Sequence, residues 1–147
     1  MAYTYIGTHV YKKRIGPWGL VARVSLEVRP LDEPPHGASR IDGSRVWWVP
    51  PQGIVPADKT WMGFGLGLVA GQLEALGSGS RAVLVRVLAW DVPMVTDHQA
   101  EVAAAAVIEC LRQNHGIDGV DIGLTFDRER NRHRFTWNGT EAEPGRP

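Results

Sequence analysis

Residues 84–112 read L-V-R-V-L-A-W-D-V-P-M-V-T-D-H-Q-A-E-V-A-A-A-A-V-I-E-C-L-R. A strand pattern passes through a short loop into an Ala-rich helix pattern. Within residues 81–91, Val83, Val85, Val87 and Ala89 fall on one face at the two-residue period of a strand. Leu84, Arg86, Leu88 and Trp90 fall on the other. Thr96-Asp97-His98-Gln99 spells a capping box, with Thr96 at the N-cap and Gln99 three residues on. The helix it opens is predicted to run to about Asn114, with Gly116 as the C-terminal cap glycine. The loop between hangs Asp91, Asp97 and His98 off a rigid corner.

Upstream, residues 20–29 alternate cleanly: Leu20, Ala22, Val24, Leu26 and Val28 share one face of a predicted strand that Pro30 ends. Residues 31–44 hold Pro34, Pro35, Gly37 and Gly43 and read as a loop. Residues 46–49 form a short strand stopped by Pro50 and Pro51, so the adjacent Trp47 and Trp48 point to opposite faces and one of them is core. Residues 56–76 carry Met62, Leu66, Val69, Leu73 and Leu76 at helical spacing. Gly63, Gly67 and Gly71 make a stripe on that helix, at a cost of about 1 kcal/mol each against alanine, which predicts close approach of another element.

Residues 121–126 and 133–137 read as a hairpin around residues 128–132, and residues 140–147 as a flexible tail. The expected organisation is one domain over residues 1–139. The order β-β-α-β-α-β, with an optional last strand, implies an α+β two-layer sandwich with helices on one face of a mixed sheet.

Composition narrows the function classes. Sixteen Lys+Arg balance 16 Asp+Glu, and zero net charge argues against strong non-specific binding to nucleic acid. Lys12, Lys13 and Arg14 form one basic run, and Arg128, Arg130, Arg132 and Arg134 another; each reads first as a solvated face. One cysteine, Cys110, excludes an internal disulfide. The N-terminus lacks a charged segment followed by an apolar run, and no apolar stretch nears the ~20 residues of a membrane span. A cytoplasmic protein without membrane contact is expected.

Chemical motifs are sparse. Gly63-Phe-Gly-Leu-Gly lies inside an amphipathic helix rather than after a strand, and no Gly-Lys-Ser/Thr occurs, so no nucleotide loop is expected. His9, His36, His98, His115 and His133 are scattered, which gives no metal-ligand spacing. Cys110 sits on an apolar helix face, where a small buried hydrophobe is the ordinary role. Asp91, Asp97 and His98 share a loop and are conceivable acid–base groups, but Asp97 suits the helix N-terminus.

Four features, in order, resemble domain IV of bacterial elongation factor G and its relatives. Ala2-Tyr3 stands where that family has its opening Ala-Tyr strand. Gly16-Pro17-Trp18-Gly19 and the strand ending in Pro30-Leu31 look like its Gly-rich turn and first long strand. Gly53-Ile54-Val55-Pro56-Ala57-Asp58 is similar to its Gly-Val-Ile-Pro-x-Glu before the first helix. Trp90-Asp91 to Glu101 matches the length of its tip loop. The resemblance covers about residues 2–115 and implies the ribosomal protein S5 domain 2-like fold, with a left-handed β-α-β crossover that general rules would not predict. Departures lie at the tip, where Val95 replaces a histidine, Thr96 an aspartate, and Val92 and Pro93 a Gly and Ser. The GTPase elements are absent from this sequence.

The resulting expectation is a non-catalytic macromolecule-binding module with no cofactor, metal, nucleotide or membrane. Its binding tip comprises Gly53, Ile54, Val55 and Pro56 together with Asp91, Val92, Pro93, Met94, Val95, Thr96, Asp97 and His98. Its partner is a protein, in an immunity, resistance or regulatory role, or the ribosome or RNA, in translation. The apolar tip favours the protein. The alternative is a small enzyme or ligand-binding protein of a specialised metabolic pathway, with a Trp-lined pocket holding Trp47 or Trp48 beneath the loop at residues 31–44.

Overall fold

A computed structural model describes residues 5–77, 79–93 and 97–145. Tyr5–Ile15 (β1) pairs antiparallel with Trp18–Leu31 (β2) across the two-residue turn Gly16-Pro17. Gly16, at φ +70°, supplies the left-handed backbone that such a hairpin needs at its first central position. Ala2 and Tyr3 lie outside the described residues. The length of β1 is a departure from the sequence reading. Its core-facing positions are Gly7, His9 and Tyr11, opposite Leu26, Val24 and Ala22, so no aliphatic period marks it.

Two short strands follow, Ser39–Arg40 (β3) and Val46–Val49 (β4), then helices Pro56–Leu68 (α1) and Ala70–Leu76 (α2). Ala82–Asp91 (β5) and Glu101–His115 (α3) come next, and Ile122–Asp127 (β6) and Arg132–Trp137 (β7) close the chain as a hairpin. The main sheet is five-stranded, ordered β1-β2-β5-β4-β3, with β4 and β5 parallel and its other pairs antiparallel. The fold class is therefore α+β with a mixed sheet, as the sequence implied. Among the described residues no helix is long and apolar enough to cross a membrane.

The core lies on one face of the sheet. Leu20, Ala22, Val24, Leu26 and Val28 of β2 and Val83, Val85 and Val87 of β5 meet Met62 and Leu66 of α1 and the Ala-rich α3. Arg23, Arg29 and Arg86 stand exposed on the opposite face. Trp48 is the core tryptophan of its pair and Trp47 is half-buried across the sheet.

Several local expectations are corrected. β2 runs through Pro30 to Leu31. Arg81 N–H donates to Leu31 O at 3.0 Å, so alternation turns the Pro30 nitrogen to the other edge, beyond the last β1–β2 pair among the described residues, at Val28. A missing N–H costs little there. The helix expected over residues 56–76 breaks at Val69 (φ −113°, ψ 13°), whose N–H bonds Leu66 O in a tightened last turn. The close approach falls at Gly65, where a Cβ would stand 2.9 Å from Ala104 Cα; at Gly71 it would meet nothing within 4 Å.

β5 does not keep one alternation. Ser25 opposes Ala89 but Leu26 opposes Val87, so Leu88 is an extra residue in a β-bulge. Beyond the bulge the faces invert, and Trp90 stands opposite Val24 on the core-facing side, contrary to the uninterrupted period. The helix after the loop begins at Glu101 with Ala100 as N-cap and no side-chain cap. Gln99 is used elsewhere, and Thr96 lies outside the described residues. Gly116 caps the far end at φ +68°, as expected.

Candidate functional site

Because β4 and β5 are parallel neighbours, their C-terminal ends open at the same end of the sheet. The loop after β4 leads into α1, and the loop after β5 leads into α3. These are the two segments singled out from sequence.

One buried carboxylate ties them together. Asp58, in the first turn of α1, is 3% exposed. Its Oδ2 accepts the Trp90 Nε1–H at 3.1 Å, and its Oδ1 lies 2.9 Å from His98 Nε2. A carboxylate accepts only, so the His98 Nε2–H is the donor of this pair. The bulge at Leu88 makes this possible, because without it Trp90 would point to the opposite face. The positive end of the α1 dipole favours an anionic side chain at this position. Asp58 and Trp90 were not among the residues predicted to form the site; Asp58 entered only as the last residue of the motif that begins at Gly53, and the bulge left no sequence mark.

The expected tip residues are distributed as follows. Gly53 (φ +79°) is exposed, Ile54 is half-buried against the core, and Val55 is 58% exposed as the N-cap of α1. Pro56 occupies the first helical turn, where its missing N–H is no loss. Asp91 is exposed opposite Arg23, while Val92 is half-buried and packs on the core, and Pro93 is half-buried. Met94, Val95 and Thr96 lie outside the described residues. Asp97 is exposed and its N–H donates to Gly19 O at 3.2 Å.

Other titratable groups are buried in the frame. Glu109 of α3 meets His9 Nε2 at 3.0 Å and Lys13 Nζ at 3.2 Å. Burial, and secondly the Glu109 charge, push the Tyr11 hydroxyl far above its usual range. Burial raises the Cys110 thiol to about 11, partly opposed by Asn114. Burial lowers His115 to about 4 and also lowers His133. Among the described residues no group of three or more His, Cys, Asp or Glu is placed to hold a metal ion.

Two adjoining clefts, of about 740 and 590 Å³, open between β7, the start of α3 and Trp61 of α1, and share Trp61, Glu101, Arg130, Arg132 and Glu143. Neither Trp47 nor Trp48 lines them. Trp48 packs on Gly63, whose Cβ would meet its ring at 3.2 Å.

No protein-family model matches the chain, and a search of curated proteins found no match.

Proposed function

We propose that the chain is a non-catalytic binding module that docks a protein partner through the loop end formed by Gly53, Ile54, Val55 and Pro56 and by residues 91–98. One observation carries the reading: the Asp58 carboxylate ties the start of α1 to Trp90 and His98, so the described ends of the two loops are held together. The exposed Val55 and a net charge of zero suit a protein better than phosphates. The sheet order, with its parallel β4–β5 pair joined through α1, supports the likeness to domain IV of elongation factor G and to the S5 domain 2-like fold.

The test is affinity capture with the wild type and with Val55→Asp, beside ribosome co-sedimentation across a salt series. Partners recovered by the wild type and lost by Val55→Asp support the reading. Identical recovery by both sinks the site. Salt-sensitive pelleting with ribosomes moves the role to ribosome contact.

A second reading, a ligand-binding protein or small enzyme, is favoured by the 740 Å³ cleft with Trp61 and Trp137 in its walls. Native mass spectrometry of protein purified from its source cells tests it: a retained small molecule, released on unfolding, would support a ligand site.

A further inference from the structure

Among the described residues, the edge of β7 that faces away from β6 is closed at two points and open between them. His133 N–H donates to Gln99 Oε1 at 2.6 Å, and His133 C=O accepts from Gln99 Nε2 at 2.9 Å. The Gln99 carboxamide thus imitates a paired strand residue. Four residues on, Trp137 N–H donates to Thr140 O at 2.8 Å and Trp137 C=O accepts from Thr140 N at 3.2 Å. Both pairs of backbone groups point away from β6. Alternation along an antiparallel strand places the N–H and C=O of Phe135 on that same side. Phe135 lines the 740 Å³ cleft, so the open position gives onto a space large enough for an extended chain.

The chain's own next residues begin to fill this edge. Asn138 and Gly139 have φ +54° and +82°, the paired left-handed residues of a type I′ turn. They reverse the chain so that Thr140 bridges Trp137. Continued pairing would set Ala142 opposite Phe135, but the ladder stops at Thr140 and Ala142 instead lines the cleft with Phe135. The reversed segment reads Thr-Glu-Ala-Glu, and Glu141 is ion-paired with Arg134. Arg132, ion-paired with Glu101 of α3, and Arg134 stand at alternate positions of β7, so acids two residues apart on an extended chain would meet Arg134 directly and Arg132 in competition with Glu101. The Trp137 Nε1–H is buried beside the cleft and has no hydrogen-bond partner among the described residues.

We propose that this groove docks an extended acidic peptide segment of a partner protein, which adds as a strand to β7, and that Glu141 is a weak intramolecular occupant of Arg134. Backbone bonds to Phe135 supply strand addition, and glutamates at alternate positions supply charge complementarity. Val55 does not line this groove, so Val55→Asp tests the loop end separately.

The full-length chain is titrated by fluorescence anisotropy with a labelled Thr-Glu-Ala-Glu-Thr-Glu peptide, its Lys-for-Glu counterpart and a single-stranded RNA hexamer. Wild type is compared with Glu141→Gln/Glu143→Gln, Arg134→Gln and the turn control Arg128→Gln. Releasing the tail is expected to tighten the acidic peptide by about 5-fold, and Arg134→Gln to weaken it by about the same, the upper range for one exposed ion pair. Arg128→Gln is expected to change nothing, the Lys peptide not to bind, and exchange of the Phe135 amide to slow in the complex. Failure of the tail-release variant to bind the acidic peptide overturns the proposal. So does indifference to Arg134→Gln, or tighter binding of the RNA through the same arginines.

Discussion

Replacing Asp58 by alanine should loosen the loop end without touching any partner directly, because the carboxylate is 3% exposed. The change removes two hydrogen bonds, one from Trp90 Nε1 at 3.1 Å and one from His98 Nε2 at 2.9 Å. A hydrogen bond to a charged group contributes about 1.5–3 kcal/mol. The His98 side chain is 29% exposed, so its donor regains water and recovers part of the loss. The half-buried Trp90 indole regains less. The expected cost is about 2–4 kcal/mol, with Trp90→Phe alone costing about 1–2 kcal/mol. Urea unfolding followed by circular dichroism at pH 7 measures both, and the double variant closes a cycle. Coupling of about 1 kcal/mol or more is expected, because the two residues share a bond. Additivity within about 0.3–0.5 kcal/mol would refute the staple. Partner affinity should also fall for Asp58→Ala, because the two loops lose their common anchor.

Gly65→Ala should destabilise by about 1–3 kcal/mol, since its Cβ would stand 2.9 Å from the Ala104 backbone, whereas Gly71→Ala, with nothing within 4 Å, should gain up to about 1 kcal/mol; melting temperatures moving in the same direction would contradict this. Burial holds His115 at about 4 against 6.5 unfolded, so the unfolded chain binds the extra proton between those values. Stability present above pH 6.5 is therefore lost as pH falls towards 4, by about 1.4 kcal/mol per unit, and His115→Phe should flatten that slope in urea titrations. Cys110, fully buried with its thiol raised to about 11, should react with a thiol reagent at pH 8 only after unfolding; rapid native labelling would count against the core packing. His98→Gln keeps a donor for Asp58, so it should preserve partner binding where His98→Leu weakens it; if both lose binding equally, the imidazole itself makes the contact.

The parts of this fold visible in the sequence are those where burial repeats at a fixed period. β2 announces itself through Leu20, Ala22, Val24, Leu26 and Val28, and α3 through the run of small and aliphatic residues at 102–108 and the cap glycine Gly116. β1 is silent because an edge strand packed against α3 presents Gly7 and Tyr11 inward, and Gly7 leaves room for Asn114. The break at Val69 is silent because Leu66, Val69 and Leu73 keep helical spacing across it. The bulge at Leu88 is silent for a different reason. It is a matter of register with β2, which no property of residues 82–91 records alone. The loop pair was reachable from sequence as two segments, but Asp58 joins them through a contact between residues 32 and 40 positions apart.

The bulge, the staple and the groove form one mechanical series. The bulge turns Trp90 towards Asp58, Asp58 takes His98, and the next residue, Gln99, is bonded to the backbone of β7 at both its oxygen and its nitrogen. The segment leading into α3 is thus gripped at two consecutive positions, by α1 on one side and by the closing hairpin on the other. This explains why α3 starts at Glu101 without a side-chain cap: Gln99 satisfies a strand rather than a helix end. A strand added to β7 at Phe135 would lie two residues from the Gln99 contact at His133, and His133 in turn packs against Trp18 of β2. Occupation of the groove and the position of His98 are then linked through adjacent residues, without any rearrangement of the sheet. If both proposed surfaces bind, they share the segment held by Asp58 and β7, an arrangement that would suit simultaneous grip on a folded partner and on its extended tail.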